Sequence, residues 1–103
     1  MPAADYNEYL FEQLQDLDMA AEYLTACFND SEEVFLLGLR NVVKAHGGVG
    51  VLADNTALNR ESLYRMLSEN GNPQLSSLST ILETLGLQLQ IAPREDDDEK
   101  EAA

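Results

Sequence analysis

The sequence predicts an all-α fold, and three observations carry that prediction. Apolar residues recur at three- and four-residue spacing along most of the chain. Gly47-Gly48 and Gly86 stand where those patterns stop, and glycine is the residue that accepts the left-handed conformation after a helix. Period-two alternation is confined to Leu87-Gln-Leu-Gln-Ile91. With 103 residues, 45% of them hydrophobic, the chain has room for one domain with a core of its own.

Taken in order, Tyr6, Leu10, Phe11 and Leu14 form a first short amphipathic helix. A second starts at about Asp18, a plausible N-cap, and carries Met19, Tyr23, Ala26 and Cys27. Asp30-Ser-Glu-Glu33 reads as a capping box with Asp in the Ser/Thr place. The helix it opens holds Val34, Phe35, Leu36, Leu37, Leu39, Val42 and Val43, an apolar face too wide for a surface helix, so it belongs at the centre of the core. Residues 49–55 and 59–68 follow as two short helices, the second capped by Asn59 and ended by Asn70-Gly71. Asn72-Pro73 offers an N-cap and a first-turn proline to a last helix through Leu75, Leu78, Ile81, Leu82 and Leu85. Leu87 to Ile91 reads as one strand, which must pair within the chain or with a second copy.

The formal net charge is −13, which at first argues against a nucleic-acid partner. Its distribution is uneven. Residues 1–33 carry nine acids and no base; residues 34–94 carry five bases against four acids; residues 95–103 carry six acids and Lys100. A near-neutral middle lies between two acidic ends. The division expected is an acidic helical segment 1–33 packed on or next to the domain, a domain 34–92, and a disordered acidic tail 93–103. The single cysteine, Cys27, excludes an intramolecular disulfide and a cysteine zinc cage, and reads as a small buried apolar residue. His46 has no second ligand at metal spacing and reads as structural, at a helix end. No Ser/His/Asp set, phosphate loop or metal box occurs, so no catalytic or metal residues, no cofactor and no enzyme are expected. Neither a membrane-length apolar run nor a signal peptide at Met1–Asp5 is evident, and the expected location is a reducing bacterial cytoplasm, away from membranes.

The segment from Val49 to Gly86 holds the informative pattern: Leu52-Ala53, then Asn59-Arg-Glu-Ser-Leu-Tyr-Arg-Met-Leu67, then Pro73, Leu78, Ile81-Leu82 and Leu85-Gly86. It resembles the lambda-repressor-like (Xre) helix-turn-helix domain. Small Ala53 allows a close helix crossing, and Leu58, Leu63 and Met66 or Leu67 fill the angle between the two helices. Arg60, Glu61, Tyr64 and Arg65 then face outward. The run Leu58 to Ser68 with Gly71-Asn-Pro73, together with Ala21-Glu-Tyr-Leu24 and Leu85-Gly-Leu-Gln-Leu89, is similar to the HigA-like addiction-module antidotes over residues 5–92. Those antitoxins accompany RelE/ParE-type toxins, bind them, and repress the shared promoter, usually as dimers. This chain departs from the family at Ala57, where Gly is usual, at Val51, usually polar, and at Gly50, usually Ser or Thr.

The resemblance implies double-stranded DNA, the chain's own operator, as one partner and a basic toxin as another. DNA-facing candidates are Asn59, Arg60, Glu61, Ser62, Tyr64, Arg65 and Asn72, with Arg60 and Arg65 suited to bidentate contacts with guanine. The alternative for the two arginines is surface pairing with Glu61 and Glu69. Tyr6, Tyr9, Leu10 and Phe11 are candidates for toxin anchors on the acidic segment, or else core residues on a solvated helical face. Leu87, Leu89 and Ile91 are candidates for a two-fold ribbon in a homodimer. A stand-alone Xre-type repressor without a toxin is the alternative function, and a pure protein-interaction module a third.

Overall fold

The computed structural model describes residues 3–95, which form six helices. They are α1 (Ala3–Leu14), α2 (Leu17–Asp30), α3 (Glu32–Ala45), α4 (Val49–Asp54), α5 (Arg60–Met66) and α6 (Leu75–Leu85). The wide apolar face of α3 does place it at the centre. Leu39, Val42 and Val43 are buried between Leu14 of α1, Ala20 and Leu24 of α2, Leu52 of α4, Leu63 of α5, and Ile81 and Leu82 of α6. Each buried Leu, Val or Ile among them contributes roughly 1.5–3 kcal/mol relative to its exposed form. The α2–α3 pairing is the most extensive, and Gly38 makes it close: a Cβ there would stand 2.7 Å from Cys27 Sγ.

The glycine stops form as the pattern predicts. At the end of α3, Gly47 (φ 108°) and Gly48 direct their N–H groups to the carbonyls of Lys44 and Val43. At the end of α6, Gly86 (φ 95°) donates to Glu83 and Leu87 donates to Leu82 at 2.7 Å. Both are Schellman closures, which satisfy carbonyls the helix leaves over.

Four boundaries differ from the sequence reading, each for a local reason. The cap of α2 is Asp16, whose carboxylate accepts from Met19 N–H at 3.1 Å; Asp18 falls in the first turn instead, where its charge suits the helix dipole. The cap of α3 is Ser31, not Asp30. This one extended residue (φ −168°, ψ 166°) donates to Cys27 O, closing α2, while its Oγ accepts from Val34 N–H, opening α3. Helix α5 ends at Met66, ahead of Asn70-Gly71, because side chains already satisfy its last carbonyls: Ser68 Oγ donates to Arg65 O and Arg40 Nη1 to Leu67 O. Helix α6 starts at Leu75 after Gln74, which makes no side-chain cap, so Asn72 and Pro73 lie in the preceding loop.

Among the described residues there is no strand. The strand expected at Leu87 to Ile91 does not form among the described residues: the Leu87 N–H is used at the end of α6, and its side chain packs against the core. The tail expected over 93–103 falls largely on residues 96–103, outside the described residues.

Candidate nucleic-acid interface

Helices α4 and α5 pack on each other through Leu52 and Leu63, with Ala53 and Leu58 half-buried between them. The connection is held by Thr56, whose Oγ both accepts from Leu58 N–H and donates to Leu58 O. Ala57 does not take a positive φ, so the turn accommodates a residue with a Cβ where the family usually has Gly. Asn59 caps α5 as the sequence indicates, its Oδ1 accepting from Ser62 N–H at 2.7 Å.

Helix α5 turns Leu63 and Leu67 fully inward. Asn59, Arg60, Glu61, Tyr64 and Arg65 are exposed, and Ser62 is half-buried. Arg65 reaches back to Ser62 Oγ at 3.4 Å. Asn72 is exposed in the loop before α6, so its predicted role as a helix cap there is not met. The seven candidates therefore divide into six along α5 and its cap, and one beyond it.

The N-terminal helices present a different surface. Tyr6 and Tyr9 are each 58% exposed, whereas Leu10 and Phe11 are half-buried and Leu10 packs against the core. Leu14 O is bonded to His46 Nε2 at 2.9 Å. A carbonyl only accepts, so Nε2 carries the proton, and His46 fastens the end of α1 to the end of α3. Between α2 and α3, Asn41 Nδ2 donates to the Tyr23 hydroxyl at 2.9 Å. Burial pushes the Tyr23 hydroxyl and the Cys27 thiol above their ordinary values; the Asn41 bond to Tyr23 offsets part of the first. A half-buried thiol so shifted is a poor nucleophile. Among the described residues no group of three His, Cys, Asp or Glu side chains is placed to hold a metal ion, and no helix is long and apolar enough to cross a membrane.

The family model described as probable addiction module antidote protein matches residues 5–93. The chain belongs to that family. It is also 31% identical over 91 residues to an uncharacterized protein of Haemophilus influenzae, covering 78% of this chain and 92% of the relative. No solved structure matches. Antidote membership gives the chain an antitoxin role and, in general, a toxin partner.

In this antidote, the fold brings to the α5 neighbourhood two cations that the sequence does not single out, together with Gly50. Arg40 and Lys44 of α3 line one cleft with Val43, Val49, Tyr64 and Leu67. Gly50 lies beneath the Arg60 guanidinium. The only signal for Arg40 and Lys44 in the sequence is the count of bases between residues 34 and 94. The dimer candidates also separate: Leu87 is half-buried, Leu89 is exposed and Ile91 is fully exposed.

Proposed function

We propose that this antidote neutralises a basic RelE/ParE-like toxin in the bacterial cytoplasm and represses its own promoter as a homodimer. It performs no catalysis. The toxin docks on the acidic N-terminal helices, with Tyr6 and Tyr9 as anchors, and α5 enters the major groove of operator DNA. The observation that carries the DNA part is the two-sidedness of α5: Leu63 and Leu67 are held in the core, while Arg60, Glu61, Tyr64 and Arg65 are all exposed. The charge layout supports the partner. Nine acids and no base in residues 1–33 favour a cationic surface and oppose DNA until that surface covers them.

The test pairs the full chain with the product of the adjacent reading frame and with DNA from upstream of its own gene. The expected result is co-purification with a small basic protein, weak salt-sensitive DNA binding alone, and tighter binding at fixed salt once that protein is added. Specific binding to the upstream DNA with no toxin partner would instead identify a stand-alone repressor. Toxin binding with no DNA shift under any condition would leave only the antidote role.

A further inference from the structure

We propose that Arg60, with Lys44 of α3, contacts the DNA backbone rather than a base, so that base reading by α5 falls to its other edge. This rests on the DNA-binding reading above. Two features of the fold carry it. The Arg60 guanidinium does not extend away from α5; it folds back against α4 and occupies the space where a Cβ on Gly50 would stand. Next to Gly50, Val49 forms part of the floor of a cleft of about 110 Å³ whose other lining includes Lys44 and Tyr64. Arg60 and Tyr64 are one helical turn apart on the edge of α5 that faces α3 and α4. Arg40, in the same cleft, is already bonded to Leu67 O.

The Arg60 guanidinium against Gly50, and Lys44 in the cleft bordered by Val49, are thus two cationic residues at the start of the first helix of the pair, the helix that crosses the sugar–phosphate backbone in this docking geometry. A guanidinium held there meets phosphate, whereas Glu61 and Arg65, also one turn apart, lie on the edge turned away from α4. The small residue at position 50 acquires a role: it is the seat of Arg60. The polar side chain the family usually carries near that point is replaced by a cation delivered from α5.

Phosphate and base contacts differ in what their loss does. A lost phosphate contact weakens all sequences alike and lowers the salt slope by about one; a lost base contact relaxes specificity at one position. The experiment measures binding of the full chain, with its toxin if toxin is needed, to upstream DNA and to a scrambled duplex between 50 and 200 mM salt. Lys44→Gln and Arg60→Gln are each expected to weaken both duplexes equally, and the loss of affinity across that salt range should shrink about threefold per variant. Arg65→Gln should affect only the upstream DNA. Gly50→Ala, whose methyl takes the space of the guanidinium, should turn the flexible end of Arg60 aside with its charge intact, so it should lower the salt slope less than Arg60→Gln does and add nothing to it in the double variant. An Arg60→Gln protein that loses only the upstream sequence, or a Lys44→Gln protein with an unchanged salt slope, overturns the assignment while leaving DNA binding intact. Wild-type protein that binds neither duplex overturns the DNA reading itself, and this inference with it.

Discussion

Arg40 Nη1 donates to the main-chain carbonyl of Leu67 at 2.6 Å, joining the middle of α3 to the end of α5. The bond does two things. It satisfies a carbonyl that the end of α5 leaves without a helical partner, and it ties the exposed helix to the most buried helix of the fold. A hydrogen bond to a charged donor contributes about 1.5–3 kcal/mol. Arg40→Met, which keeps the stem and removes the donors, should therefore lower the urea midpoint by a corresponding amount with an unchanged slope. Arg40→Lys should recover part of the loss. If Arg40→Met melts like the wild type, the bond is not formed in solution.

The Tyr23–Cys27 pair predicts a dependence on alkaline pH. Both groups are held above their ordinary values, 10.0 for the phenol and 9.0 for the thiol, chiefly by burial. On raising the pH, the unfolded chain therefore loses these protons before the folded chain does. Their contribution is complete below about pH 9 and declines as the pH climbs through the folded values. Thermal unfolding followed from pH 7 to 10.5 should show a falling midpoint above pH 9. Cys27→Ala should delay the onset of that decline. The folded thiol should also react with an alkylating reagent far more slowly than free cysteine at pH 7.5; equal rates would mean the site is open.

What the sequence shows plainly is what depends on neighbours along the chain. Asn59 three residues before Ser62, and glycine directly after the apolar periods of α3 and α6, act through hydrogen bonds that span one turn. The same locality explains the near misses. Asp16 and Asp18, or Asp30 and Ser31, are both competent caps two or one residues apart, and tertiary packing of the following helix decides between them. Arg40 and Lys44 are opaque for the opposite reason. Nothing in the spacing of residues 27 positions apart says that Arg40 is committed to Leu67, or that Lys44 shares a cleft with Tyr64. The site is legible as a helix, and its electrostatics only as a fold.

Of the four residues proposed as toxin anchors, Tyr6 and Tyr9 are the exposed ones. Leu10 is engaged with the core, so removing it would cost stability before it cost affinity, and truncation of α1 would strip buried Leu14 and release His46. Tyr6 and Tyr9 are exposed and flanked by Glu8 and Glu12, a mixed aromatic and acidic surface suited to a basic partner. Tyr6→Ser with Tyr9→Ser should leave the melting temperature close to wild type and weaken toxin binding by at least about tenfold. Unchanged toxin affinity in a folded double variant would move the docking surface away from α1.

Period-two spacing puts Leu87, Leu89 and Ile91 on one face of an extended chain. The core of the same subunit reaches only Leu87, and Ile91 is left wholly in water. Pairing this segment with its two-fold mate would bury Leu89 and Ile91 and give its backbone strand partners, which it does not have among the described residues. It would also fix the separation of the two α5 helices, as a two-half-site operator requires. Charges on such an edge oppose pairing. Leu89→Asp with Ile91→Asp should convert a dimer to a monomer in sedimentation at micromolar concentration. Because two linked half-sites bind through effective concentration, operator affinity should fall by roughly 100-fold or more, with the fold of residues 3–86 unaltered. A wild-type chain that sediments as a monomer at that concentration would remove the ribbon, and the spacing of the recognition helices would need another source.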